Sequence, residues 1–88
     1  MDTDAGLTIS QVSKKIGVAA SVIRFWEAEF GEYLVPGRTE GNQRRYSVDD
    51  LETLLMIKEL LKNRKFKIQG AKEVLAELFR KKRETAQT

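Results

Sequence analysis

Apolar residues near the N terminus recur with the period of an α-helix. Those on one face of the segment at about Ser10–Ile16 are Ile9, Val12 and Ile16. Thr8 precedes Gln11 by three residues, which is a capping-box pattern, and Gly17 is suited to the left-handed turn that closes a helix. The pattern predicts a first helix that starts near Thr8 and ends before Gly17.

A second amphipathic segment lies at about Ala20–Phe30. Its apolar stripe, which we assign to the core, consists of Ile23, Trp26 and Phe30. The opposite face carries Ser21, Arg24, Phe25 and Ala28. A connection of three residues that begins with Gly17 separates the two helices, and such a pair of short helices is typical of a helix-turn-helix motif.

The segment Gly31–Tyr46 contains one proline and three glycines and has no helical period. We predict that Val35–Arg38 and Gln43–Tyr46 pair as a short β-hairpin across the turn Thr39–Asn42. This hairpin, residues 35–46, is called the wing below, because it follows the helix-turn-helix motif directly.

Two more helices are predicted in the C-terminal half. The third starts after Ser47, whose hydroxyl can cap it, and extends to about Asn63. Its apolar positions are Leu51, Leu54, Leu55, Ile57, Leu60 and Leu61. The fourth covers about Ile68–Lys82, with apolar positions at Ile68, Ala71, Val74, Leu75, Leu78 and Phe79. We therefore predict a mainly α fold, a winged helix-turn-helix with four helices and a short β-hairpin wing, in a domain at residues 7–83 between tails at residues 1–6 and 84–88.

Composition excludes several classes of function. A chain of 88 residues suits one domain with one core and leaves little room for a deep substrate pocket. Cysteine and histidine are absent, which excludes disulfides, zinc sites with thiolate or imidazole ligands, and an imidazole general base. We predict no catalytic residues, no metal site and no cofactor, and we do not expect an enzyme. No apolar run approaches the roughly 18 residues of a membrane span. Asp2 and Asp4 lie where a signal peptide would be basic, so we expect a cytoplasmic protein with no membrane partner.

The net charge of +3 is unevenly distributed along the chain. Residues 64–83 contain eight basic and two acidic side chains, whereas residues 47–63 contain four acidic and two basic ones. A basic surface attracts polyanions such as nucleic acids. The cluster Arg80–Arg83 also fits a solvated helix end, so charge alone leaves both interpretations open.

The features needed to recognise duplex DNA coincide in the N-terminal half. A helix that can enter the major groove precedes a hairpin rich in arginine, whose planar fork suits phosphate oxygens and guanine edges. Candidate DNA contacts are Ser21, Arg24 and Phe25 on the second helix and Arg38, Arg44, Arg45 and Tyr46 on the wing.

These candidates have structural alternatives. Phe25 can pack on the wing, and Tyr46 can close the hairpin against Trp26. The neighbouring arginines of the wing can be ordinary solvated charge. The carboxylates of Glu27 and Glu29 would repel DNA, so we expect them away from it.

An ordered series of motifs over about residues 7–80 resembles the DNA-binding domain of MerR-type bacterial transcription regulators. The matching segments are Leu7–Val12, Gly17-Val18, Ile23–Glu27, Pro36-x-Arg38, Arg44-x-Tyr46-Ser47, Asp49–Leu51 and Lys67–Lys72. The chain departs from this pattern at Ala19-Ala20, where the family often has Ser-Pro, and at Val22 and Lys67, where threonine is usual. The first two departures remove hydroxyl groups near the start of the second helix.

The resemblance implies a role for each candidate. Arg24 and Phe25 would face DNA, with Arg24 on a phosphate or a base edge. The DNA backbone would be contacted by Arg44, Arg45 and Tyr46, with Arg38 nearby. Trp26 would pack between the helix-turn-helix and the wing.

The expected function is sequence-specific binding of double-stranded DNA by a promoter-recognition module. Dimeric members of the resembled family pair through a helix beyond the fourth. We therefore expect a full-length homodimer and, for these residues alone, a monomeric fragment. Two alternatives stay open: an architectural DNA binder or recombination-directionality factor, and a protein-interaction module that docks a partner on Val74, Leu78 and Phe79.

Overall fold

A computed structural model describes residues 6–87, with side chains for residues 6–84, in two compact units that divide between Met56 and Ile57. The described residues form four α-helices, one two-stranded antiparallel hairpin and one π-helical turn. The elements are α1 (Ile9–Ile16), α2 (Ala20–Glu29), β1 (Gly37–Arg38), β2 (Arg44–Arg45), α3 (Val48–Lys58), the π-helical turn (Glu59–Asn63) and α4 (Ile68–Gln87). The predicted mainly α fold with four helices and a short β-hairpin is confirmed.

Helix α1 is closed at both ends by its own side chains and turn. The Gln11 N–H donates to Thr8 Oγ1 at 3.2 Å, and the Thr8 N–H donates to Gln11 Oε1 at 2.9 Å. At the other end Gly17 adopts the left-handed conformation with φ 72°, and the Ser13 hydroxyl donates to the Val18 carbonyl at 2.7 Å. The predicted capping box and glycine turn are confirmed.

Helix α2 contacts α1 and buries the predicted apolar stripe of Ile23, Trp26 and Phe30. Its N-cap residue, Ala19, provides no side-chain hydrogen bond, as expected for a residue without a polar side chain. The helix ends at Glu29, one residue earlier than predicted, and the Phe30 N–H donates to the Trp26 carbonyl at 2.7 Å.

The wing has shorter strands than the sequence predicted. Gly37 pairs with Arg45 and Arg38 with Arg44, and the turn is closed by the Asn42 N–H on the Thr39 carbonyl at 2.8 Å. The next pair would place Pro36 opposite Tyr46, and proline has no N–H to donate. Tyr46 instead exchanges two backbone hydrogen bonds of 2.8 Å with Leu7, in an isolated antiparallel bridge that was not predicted.

Helix α3 begins with a reciprocal cap. The Asp50 N–H donates to Ser47 Oγ at 3.1 Å, and the Ser47 N–H donates to Asp50 Oδ2 at 3.0 Å. This confirms the predicted start after Ser47. Of the predicted apolar face, Leu54 is buried within the first unit, whereas Leu55 is 45% exposed.

The second unit contains the π-helical turn, where we predicted a continuous α-helix to Asn63. The Arg64 N–H donates to the Glu59 carbonyl, five residues back, at 2.9 Å. The Glu59 carboxylate accepts from Asn63 Nδ2 at 2.7 Å and from Arg64 Nε at 3.3 Å. These contacts between side chains stabilise the wider turn, which apolar periodicity does not register.

Helix α4 contacts the π-helical turn and buries Ala71 and Leu75. It extends to Gln87, beyond the end at about Lys82 that the sequence predicted. Arg80 forms ion pairs with Glu77 and Glu84 on the same helix face, and pairs at these spacings stabilise the additional turn. The predicted N-terminal tail at residues 1–6 lies, apart from Gly6, outside the described residues. No helix within residues 6–87 is both long and apolar enough to cross a membrane.

Candidate nucleic-acid interface

Helix α2 has one buried face and one free face. Ile23 and Trp26 lie in the core, whereas Ser21, Arg24 and Phe25 are exposed on the other side. Half of the Phe25 surface is accessible, which is unusual for a large aromatic residue on a core helix. The exposed face therefore carries a cation, a hydroxyl and an aromatic ring within two helical turns.

The wing places two arginines directly opposite each other. Arg38 and Arg44 are cross-strand partners, a juxtaposition of like charges that is unfavourable unless other groups offset it. Arg38 is exposed and donates from Nη1 to the Asn42 carbonyl at 3.1 Å. Arg45 is half-buried, and its Nη1 donates to the Arg44 carbonyl at 3.4 Å.

An ion pair connects the wing to α2. Arg44 Nε donates to Glu27 Oε1 at 2.7 Å, with 31% of the Arg44 side chain and 13% of the Glu27 side chain exposed. We expected Glu27 to lie away from DNA, and its carboxylate contacts Arg44, one of the candidate DNA contacts. The two residues are 17 positions apart, so no helical or strand period could indicate the contact.

Tyr46 occupies a different place from the one expected on the wing surface. Its side chain is 1% exposed, and its hydroxyl has no hydrogen-bond partner within the described part of the chain. The backbone bridge to Leu7 holds the residue at the base of the wing, where the ring joins the core. The alternative in which Tyr46 closes the hairpin agrees with this burial.

The pKa of Tyr46 depends on its burial and on the charged side chains of α2 and the wing. The pKa of Tyr46 is raised to about 12, mainly by burial and also by the negative charge of Glu27, whereas the positive charges of Arg44, Arg24 and Arg38 lower it. Arg24 and Glu27 lie one helical turn apart on α2, and the ion pair of Glu27 with Arg44 joins this part of the helix to the wing.

A groove of about 460 Å³ lies between the start of α1 and the wing. It is lined by residues 8–10 and 42–45, so the capped end of α1 and the Arg44-Arg45 strand form its walls. Sequence reasoning missed this groove because it depends on the bridge between Leu7 and Tyr46, which brings the two segments together.

Known proteins resemble this chain in sequence and in structure. Residues 7–78 match the family described as MerR HTH family regulatory protein. The HTH-type transcriptional regulator YfmP of Bacillus subtilis (strain 168) is 46% identical over 48 residues, which are 54% of this chain and 34% of YfmP. HiNmlR, a MerR family regulator lacking the sensor domain, solved bound to promoter DNA, has a TM-score of 0.64 and 30% sequence identity. That match covers 78% of this chain and 53% of HiNmlR, so the chain spans about half of HiNmlR and a third of YfmP.

These matches confirm the resemblance that the motifs indicated. The family match covers most of the chain and contains α1, α2, the wing, α3 and the first half of α4. The chain belongs to the MerR family of helix-turn-helix transcription regulators, as a DNA-binding domain of that family.

Proposed function

We propose that this chain binds double-stranded DNA in a sequence-specific manner, as the promoter-recognition module of a bacterial transcription regulator. The observation that carries the proposal is the ion pair between Arg44 Nε and Glu27 Oε1 at 2.7 Å, which joins the arginine-bearing wing to α2 one helical turn from the exposed Arg24. HiNmlR, which is similar in fold and was solved on promoter DNA, supports the same assignment.

In this proposal α2 lies in the major groove. The major groove of B-form DNA is about 12 Å wide and admits one α-helix. Arg24 contacts a phosphate or a guanine edge, and Ser21 adds a hydroxyl near the start of the helix. Phe25 is suited to an apolar contact with a thymine methyl group, since its ring is half exposed. The face of α2 that bears these residues is free of core contacts, as groove insertion requires.

The wing is proposed to contact the flanking backbone. Arg38 and Arg45 supply guanidinium groups to phosphates, and Arg44 presents the part of its side chain that Glu27 leaves exposed. Such contacts release condensed counterions, so affinity should fall steeply as salt rises. Tyr46 is buried and supports the wing through its ring and through its backbone bridge to Leu7, so its side chain is not proposed to contact a phosphate.

We further propose that residues 7–83 make up the DNA-binding domain, that the full-length protein is a homodimer acting in the cytoplasm, and that the isolated chain is monomeric. The chain spans a minor part of YfmP, so assembly of the whole protein rests on the family resemblance alone. Sedimentation of the isolated chain at micromolar concentration tests the monomer directly.

The protein-interaction alternative has weaker support. Leu78 is 37% exposed, which favours it, but Val74 and Phe79 are half-buried and leave no continuous apolar stripe free. DNA binding is the better supported of the two.

Selection of bound duplexes from a random pool at physiological salt tests the proposed function. A sequence reader enriches one motif, and its affinity for the enriched duplex exceeds that for the unselected pool by a factor of roughly 10³ or more. Equal affinity for both indicates an architectural binder or recombination-directionality factor. Absence of binding to any duplex contradicts the proposal.

A further inference from the structure

The side chain of Glu27 is more buried than the Arg44 side chain that it contacts. Its side chain is 13% exposed against 31% for Arg44, and the contact runs from Arg44 Nε to Glu27 Oε1 at 2.7 Å. The carboxylate is therefore the inner member of the pair. Glu27 is fixed on α2, whereas Arg44 is carried by the wing, so the contact sets the direction of Arg44 relative to the exposed face of the helix.

The pair uses only one edge of the guanidinium. An arginine has five N–H donors in a rigid fork, and Nε supplies one of them. The recorded contact between the two side chains is made by Nε, whereas the phosphate-matching edge of the fork is formed with the terminal nitrogens. The Arg44 side chain stays 31% exposed, so part of it is accessible to a phosphate.

The surroundings of Arg44 make an orienting contact necessary. Arg38 is its direct cross-strand partner, so the hairpin carries two guanidinium groups side by side. Like charges at opposed positions repel each other, and a free Arg44 would turn away from Arg38 into solvent. The single carboxylate of Glu27 offsets part of this repulsion and holds Arg44 in place.

We propose that Glu27 is a positioning residue for DNA binding: it accepts the Arg44 Nε hydrogen and holds the terminal amino groups outward for one phosphate of the duplex. This inference rests on the proposed function. According to this inference, Glu27 strengthens the complex with DNA, although an acidic residue ordinarily repels DNA.

The direction of the change in DNA affinity distinguishes a positioning role of Glu27 from a purely electrostatic effect of its charge. Removing a negative charge beside a polyanion strengthens binding when only long-range electrostatics act. Removing a group that orients a phosphate contact weakens binding instead. Glutamine keeps an oxygen that can accept the Nε hydrogen, so a neutral acceptor restores the orientation without the charge.

The experiment compares Glu27→Ala, Glu27→Gln and Glu40→Ala in the 88-residue chain, on a duplex enriched from the random pool. Glu40 is an exposed glutamate in the turn of the same hairpin, so its variant loses the same charge away from the Arg44 contact. Glu27→Ala should bind about tenfold more weakly, the scale of one charge-assisted hydrogen bond. Glu27→Gln should match or exceed the parent, and Glu40→Ala should match or exceed it as well.

Two further measurements keep the result specific. In the Arg44→Ala background, Glu27→Ala should cause no additional weakening, because the oriented group is absent. In the free protein, the Arg44 Nε–H resonance should be protected from exchange in the parent and in Glu27→Gln but not in Glu27→Ala. Thermal unfolding of each variant confirms that the fold is retained.

The outcomes are distinguishable. A parent chain that binds no duplex overturns the proposed function, whatever the Arg44 resonance shows. A parent that binds, together with a Glu27→Ala variant that binds as well as Glu40→Ala, overturns the positioning role alone. Weakening by Glu27→Gln equal to that by Glu27→Ala also overturns it, since the neutral acceptor would then have failed to orient Arg44.

Discussion

Leu7 and Tyr46 exchange two backbone hydrogen bonds of 2.8 Å across 39 positions of the chain. The bridge attaches the segment before α1 to the base of the wing, and it fixes Tyr46 where its ring is buried. The ring is among the largest fully buried side chains of the described residues, yet its hydroxyl has no partner there. Tyr46 therefore stabilises the wing through its ring and backbone, while its hydroxyl opposes burial.

Tyr46→Phe should stabilise the protein. A buried hydroxyl without a hydrogen bond is destabilising, and its removal should raise the free energy of unfolding by about 1 kcal/mol. Urea unfolding at pH 7 measures the change. Affinity for the enriched duplex should stay at the parent value because the ring is not on the surface. A loss of affinity with unchanged stability would instead show that the Tyr46 hydroxyl reaches DNA.

The stability of the parent should decrease at high pH through Tyr46. Its pKa is about 12 in the folded protein and 10.0 ordinarily, because burial and Glu27 disfavour the phenolate. As pH rises through this interval, the unfolded chain loses the phenolic proton before the folded chain does, so unfolding becomes more favourable. The titration of Tyr46 therefore leaves the free energy of unfolding unchanged below about pH 10 and lowers it as the pH rises towards 12.

The test is the difference between the parent and Tyr46→Phe, since lysines also titrate in this range. Urea unfolding midpoints at pH 9 and pH 11 should fall further for the parent than for the variant. Equal decreases in the two proteins would show that Tyr46 titrates alike in the folded and unfolded chains.

Local features of the fold could be predicted because the groups responsible lie within a few residues of one another. The caps formed by Thr8 with Gln11 and by Ser47 with Asp50 each span three positions, and Gly17 closes α1 within the same turn. The buried face of α2 follows directly from helical spacing. These signals placed the exposed face of α2, and with it the candidate site.

The remaining features depend on contacts between distant positions. The Glu27–Arg44 ion pair joins residues that no period relates, and the Leu7–Tyr46 bridge requires the wing to exist first. The short wing is an exception, since Pro36 already marked where strand pairing must stop. The π-helical turn at Glu59 depends on a side-chain cluster that apolar spacing does not reveal.

Arg24→Ala and Arg44→Ala should each weaken binding to the enriched duplex. Removing one phosphate contact reduces the slope of log affinity against log salt by about 1, whereas removing one guanine contact costs about 1–3 kcal/mol and relaxes selectivity at one base pair. The salt titration therefore also decides which of the two contacts Arg24 makes.

Arg80→Ala is the matched control for these variants. It removes the same charge, but its guanidinium is already engaged by Glu77 and Glu84. Its effect on affinity should be smaller than that of either test variant. If Arg24→Ala and Arg44→Ala both bind as tightly as Arg80→Ala, the proposed docking face is wrong.

Lys65→Gly should stabilise the chain even though glycine is the more flexible residue. Lys65 has a φ of 60°, in the left-handed region that disfavours residues with a Cβ by about 1–2 kcal/mol. Glycine avoids this strain and loses about 0.5–1 kcal/mol through its more flexible unfolded state, so a net gain is expected. Lys62→Gly is the control, because Lys62 is an exposed lysine in the preceding π-helical turn whose φ is not positive. Urea unfolding should show a gain for Lys65→Gly and a loss for Lys62→Gly. Equal losses in both variants would mean that the connection before α4 does not hold Lys65 in the left-handed conformation in solution.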